Sequence, residues 1–134
     1  MRFAAVAFLL AFASLPAFAQ YSGQYRACSE KARTQAEMTV CAGQEAARAD
    51  AVLNHIYAEL LSKTAGEPET AAKIKVAERA WIAYRDAYMD AMYPAKDKQA
   101  EYGSIYPMEA SLLRAKLTQR QTAALQEILR QYAH

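Results

Sequence analysis

Between its only two cysteines the chain reads Cys28-Ser29-Glu30-Lys31-Ala32-Arg33-Thr34-Gln35-Ala36-Glu37-Met38-Thr39-Val40-Cys41. As one continuous helix this stretch would hold its ends about 20 Å apart, at about 1.5 Å rise per residue. A disulfide needs the two Cα atoms within about 7 Å. If the cysteines are joined, the chain must reverse between them. Thr34 supplies the break. Thr34-Gln35-Ala36-Glu37 is a capping box, in which the hydroxyl and the carboxylate satisfy the first free N–H groups of a helix. The expected order is a ragged stretch over residues 20–27, a helical turn around Cys28 to Lys31, a reversal, and a long helix.

Whether the cysteines are joined depends on where the chain works. Met1 and Arg2 make a short basic start, Phe3 to Leu15 is apolar except for Ser14, and Ala17-Phe18-Ala19 follows as a small-x-small site. This is the pattern of a secretory signal peptide over residues 1–19, cut between Ala19 and Gln20. Its apolar run is too short to span a bilayer, which takes about 20 residues. A single domain over residues 20–134 is expected in the periplasm or outside the cell, with no stable membrane insertion. In that setting two cysteines are expected to form one bridge. Free thiols and a zinc site are the other readings, and zinc lacks ligands beyond Cys28, Cys41 and His55. Closing a loop of this size stabilises by about 3 kcal/mol in the chain-entropy model.

Removing Arg2 with the leader takes the 16 basic residues to 15 against 14 acidic ones, a net charge of about +1. That is not the charge of a nucleic-acid binder nor of a disordered acidic or basic tail. Glycine and proline number four each, too few for a turn-rich β fold.

Three long helices follow from the periodicity. The first runs from Thr34 to about Ser62, with Met38, Cys41, Glu45, Ala49, Leu53, Ile56 and Leu60 on one face. Glu45 is the odd member of that stripe. Thr64-Ala65-Gly66-Glu67 breaks the helix, and Pro68 suits the first position of the second. Ile74, Ala77, Trp81, Tyr84, Tyr88 and Ala91 are its expected buried face, and Pro94 ends it near Met92 or Tyr93. Residues 93–106 are the one long connection. Pro107 opens a third helix reaching about Tyr132, with Leu113, Leu117, Ala124, Leu125, Ile128 and Leu129 apolar. The expectation is an all-α antiparallel bundle of three long helices, with a short N-terminal helical segment stapled by one disulfide.

Five ordered blocks carry a resemblance. They are Ala36-Glu37-Met38-Thr39 with Cys41, Ala51 to Tyr57 with its Leu53-Asn54 pair, Ala80-Trp81-Ile82-Ala83-Tyr84-Arg85-Asp86-Ala87, Tyr102-Gly103-Ser104-Ile105, and Leu117-Thr118-Gln119-Arg120. Together they resemble the LprI-like lysozyme-inhibitor domain, a small exported helical domain of bacteria, over about Cys28 to Leu129. The resemblance implies a protein partner, lysozyme or another peptidoglycan hydrolase, and no catalytic residue, cofactor or metal in this chain. Typical members carry two further cysteines, one shortly after the Arg-Asp pair and one early in the last helix. Here Met89 stands at the first place and Leu112 or Leu113 near the second, so a Met–Leu contact is expected in place of a bridge.

Candidate site residues fall in two groups. Tyr93, Asp97, Glu101, Tyr102, Ser104 and Tyr106 lie in the long connection, a loop long enough to be functional. Its tyrosines are of the type enriched at interface hot spots. The second group is structural. Trp81 is the expected core anchor and Arg85, four residues on, can lie over its indole. Glu37 is the expected carboxylate partner of Arg85, with Tyr84 and Asp86 beside it, and Asn54 is expected to bond across the bundle. Beside inhibition by covering a cleft stands a second reading, an envelope adaptor that binds a partner protein or the cell wall. A net charge near +1 gives no global attraction to a basic lysozyme, so steering would fall to local acidic groups such as Asp97 and Glu101.

Overall fold

Ser22, not Cys28, opens the first helix. The computed structural model describes residues 21–132; the expected signal peptide lies outside the described residues. Helix α1 spans Gly23–Lys31, α2 Gln35–Lys63, α3 Pro68–Met92, α4 Lys98–Tyr102 and α5 Tyr106–Gln131, with one 3-10 turn over Gly103–Ile105. The fold is all-helical, and Cys28 is joined to Cys41 with their Cα atoms 5.7 Å apart.

Within the stretch expected to be ragged, residues 22–27 are instead a capped helix start, and Glu45 is the reason. The Ser22 side chain accepts a hydrogen bond from the Tyr25 amide at 3.0 Å, capping α1. Its hydroxyl and its own amide donate to the two oxygens of Glu45, at 2.5 and 2.8 Å. Arg48 completes the set by donating to Glu45 Oε2 at 2.9 Å. Thus Glu45, 1 % exposed, holds a buried charge by hydrogen bonds and one ion partner, as buried charges require. Burial alone would raise its carboxyl pKa, and the bonds from Ser22 and Arg48 outweigh that and hold it below the usual range. The sign then follows: this carboxyl contributes stability above the ordinary glutamate pKa and loses it as pH falls through its lowered folded value. The expected result is a Ser22 amide resonance that moves to its unfolded position on acidification below the ordinary glutamate range. Glu45→Gln should remove that transition, and an NMR pH titration reads both.

At the corner that follows, the capping box forms as expected, with the Glu37 amide donating to the Thr34 hydroxyl at 3.2 Å and the Thr34 amide to the Glu37 carboxylate at 3.0 Å. At the far end of α2, the buried Thr64 hydroxyl donates back to the Leu60 carbonyl at 2.9 Å, and the Glu67 amide closes the turn on the Thr64 carbonyl.

The tightest pairing joins α2 to α5, which are remote in sequence and run parallel. Gln35 at the start of α2 reaches Met108 at the start of α5, and Asp50 meets Thr118 midway. Leu53 and Leu60 share a cluster with Leu125 towards the far end. Ala46, Ala49 and Ala115 form the middle of the seam, where small side chains let the helix axes approach. Helix α3 returns antiparallel to both.

The buried face expected for α3 is only partly realised. Ile74 is buried and Trp81 packs against the Leu53–Leu60–Leu125 cluster, but Ala77, Tyr84 and Ala91 are exposed. Past Trp81 the helix stands away from α2, because α5 already occupies the apolar face of α2. On α5, Ala124 is likewise exposed while Leu117 and Leu125 are buried. Leu112 also departs from expectation. It packs with Tyr25, Cys41, Ala42 and Met108 under α1.

Candidate functional site

The connection over residues 93–106 is an ordered cap on the stapled end of the molecule. Expected as one long loop, it holds α4 and the 3-10 turn. Asp97 caps α4, its Oδ1 accepting from the Ala100 amide at 2.9 Å. Lys98 folds back, and its Nζ donates to the carbonyls of Tyr93 and Ala95 at 2.8 and 3.2 Å. The Ala95 amide donates to the Tyr102 hydroxyl at 3.2 Å. Gly103 has φ 71° and ψ −167°, a region open essentially to glycine alone. That residue turns the chain from α4 into the 3-10 turn.

The three tyrosines meet one another. Ring centroids lie 5.3 Å apart for Tyr93 and Tyr102, 4.9 Å for Tyr93 and Tyr106, and 5.9 Å for Tyr102 and Tyr106. The first two pairs are edge-on, the favoured aromatic geometry. Burial raises the Tyr93 phenol pKa, with the charge of Glu109 and the neighbouring Tyr106 and Tyr102 adding to it. All three rings are half-buried. They brace both ends of the connection.

What the connection offers to solvent is therefore narrower than its composition suggests. The tyrosines are turned partly inward, while Glu101, Gly103, Ser104 and Ile105 are exposed, as are Lys96, Asp97, Gln99 and Ala100 around the start of α4. Ile105, 42 % exposed, was not among the residues expected at the site.

The second group of expected residues is split up. Arg85 does lie over Trp81, its Cζ 5.2 Å from the ring centroid. Its carboxylate partner is the adjacent Asp86, at 2.8 Å. Glu37 is not that partner; its carboxylate accepts from the amides of Arg33 and Thr34, which hold its pKa below the usual range. Asn54 is exposed and, among the described residues, makes no bond across the bundle, because α2 turns Leu53 inward and its neighbour out. Tyr84 is exposed as well and stacks only on Tyr88, at 5.9 Å. Polar contacts that do cross midway along the long helices include Thr118 to Asp50 at 3.1 Å and Gln121 to Glu78 at 2.8 Å. Neither pair carries a short-range signal that singles it out from solvated polar positions.

The described residues form a disulfide-stapled helical domain with an exposed tip beside its tyrosine cluster. The chain belongs to the LprI lysozyme inhibitor family, whose sequence pattern matches residues 28–125. A protein of Rhizobium meliloti (strain 1021), described as uncharacterized, is 35% identical, and the alignment covers 96% of each chain. No solved structure matches. Among the described residues no helix is long and apolar enough to cross a membrane.

Proposed function

We propose that this chain, after loss of residues 1–19, is a single-domain inhibitor of lysozyme or a related peptidoglycan-cleaving enzyme in the periplasm or outside the cell. It acts by covering the enzyme's cleft and does no chemistry of its own. Family membership supports the target class. The observation that carries the site is the tip from Glu101 to Ile105, exposed above a tyrosine brace. A rigid tip binds without first paying to order itself. Glu101 and Asp97 give local negative charge toward a basic enzyme, Ile105 gives apolar contact, and Ser104 is small enough to enter a sugar-binding cleft. Tyr93, Tyr102 and Tyr106 act as supports.

The test is a turbidity assay of cell-wall lysis by a chicken-type lysozyme, with the oxidised protein added. Protection near a one-to-one ratio is expected. Glu101→Lys and Ser104→Trp should each weaken it at least tenfold, about 1.4 kcal/mol, with an unchanged melting curve. If both variants protect as well as the parent, the tip is not the contact. If the folded, oxidised parent does not protect, this class of lysozyme is not the target.

The adaptor reading has one observation in its favour. Val76, Ile82, Tyr84 and Met92 leave α3 with large apolar side chains in solvent. Large apolar side chains left in solvent suit contact with a partner protein, and a monomer that captures nothing from an envelope extract would count against it.

A further inference from the structure

Where α3 stands away from the α2–α5 pair, a cleft opens beneath it. It has two adjoining lobes of about 400 and 310 Å³, and Met89, Tyr106 and Arg114 line both. Small residues make the room: Gly43, Ala46 and Ala47 on α2, and Ala110 and Ser111 on α5. Each lobe is within the size of small-ligand sites.

The charges in the cleft divide into engaged and free. Arg85 is tied to Asp86. Lys98 is held by the carbonyls of Tyr93 and Ala95. Asp50 uses Oδ1 to accept from Thr118. Among the described residues Arg114 makes no ion pair, nor does Asp90, and both line the smaller lobe. Asp50 faces the larger lobe with one oxygen unbonded. The cleft thus offers one free guanidinium and two available carboxylates, set on apolar walls from Met89 and Tyr106.

That combination selects against simple ligands. A multivalent anion would meet Asp50, Asp86 and Asp90. An uncharged sugar would engage neither the exposed guanidinium of Arg114 nor the carboxylates. A molecule with both a carboxylate and an ammonium satisfies both signs. We propose that the cleft binds a short zwitterionic peptide, of one or two residues. Arg114 takes its terminal carboxylate through the planar fork that guanidinium offers. Asp90, which shares the smaller lobe with Arg114, takes its ammonium, and a small side chain lies against Met89 and Tyr106. Peptide stems released from the cell wall and ordinary proteolytic fragments share this chemistry.

The experiment uses the full chain, expressed for export, oxidised, and carrying ¹³C-methyl methionine. D-Ala-D-Ala, L-Ala-L-Ala and N-acetyl-alanine amide are titrated in turn. The expected result is a saturable shift of the Met89 methyl with the free dipeptides and none with the blocked compound, while the Met38 methyl stays in place. Arg114→Gln and the near-isosteric Asp90→Asn should each weaken binding at least tenfold. Preference for the D-dipeptide assigns the site to wall fragments, and equal response assigns it to short peptides in general. No saturation of Met89 by about 10 mM, an equal response to the blocked compound, or unchanged binding in both variants overturns the proposal.

Discussion

Reduction of the Cys28–Cys41 bridge is expected to lower the stability of the domain by about 3 kcal/mol. For a chain of this size that is a fall in melting temperature on the order of 12 °C. The structure places the loss in more than chain entropy. Cys41 is 2 % exposed and sits in one cluster with Tyr25, Ala42, Met108 and Leu112. The bridge therefore ties α1 down onto the ends of α2 and α5 that carry the tip. Cys41→Ser would add a buried hydroxyl to the loss, so Cys28→Ser with Cys41→Ala is the cleaner variant. Thermal unfolding followed by circular dichroism, with and without reductant, gives the number. A change below about 1 kcal/mol would mean that the Ser22–Glu45 bonds and the packing of Tyr25 hold α1 without the bridge.

The second large effect separates the true core from the apparent one. Leu125 is 1 % exposed and shares its cluster with Leu53, Leu60 and Ile74. Leu125→Ala removes three carbons from a fully packed site and is expected to cost about 3 kcal/mol. Tyr84 lies on the face that periodicity marks for burial, yet it is 57 % exposed. Tyr84→Ala should change stability by no more than about 0.5 kcal/mol, as surface positions do. Denaturant titration of both variants decides the matter. Equal losses would mean that the second half of α3 packs in solution against α2 and α5 and closes the cleft.

The contrast shows which signals a sequence carries. The starts and stops of the long helices were legible because caps and prolines act locally: Thr34 with Glu37, Pro68, and Pro94 each leave a mark within a few residues. The face of α2 was legible for the same reason, down to the acidic member Glu45. What that residue does was not legible, since its partner Ser22 lies 23 positions away. The face of α3 misled because helical spacing reports which side chains share a side, not whether another helix has already taken the place against them. In the candidate site the six residues picked from the connection do sit together. Their composition gave no sign that the tyrosines would turn on one another and leave Glu101, Ser104 and Ile105 outermost. Asn54 was misplaced because an amide carries no mark of whether its neighbour or itself points inward.

The parallel seam between α2 and α5 also bears on the order of events as the chain is delivered. Its contacts join residues as far apart as 73 positions, as between Gln35 and Met108. A chain that emerges N-terminus first can form α1, the bridge and a loose α2–α3 hairpin, but the apolar side of α2 has nothing to cover it until α5 arrives last. Non-local pairing of this kind slows folding, because the intervening chain must be closed before the contact rewards it. Until then the apolar stripe of α2 is open to other binders. Completion of the domain is thereby tied to release of its final helix, and a chain truncated before Tyr106 would lack the surface against which the apolar face of α2 packs.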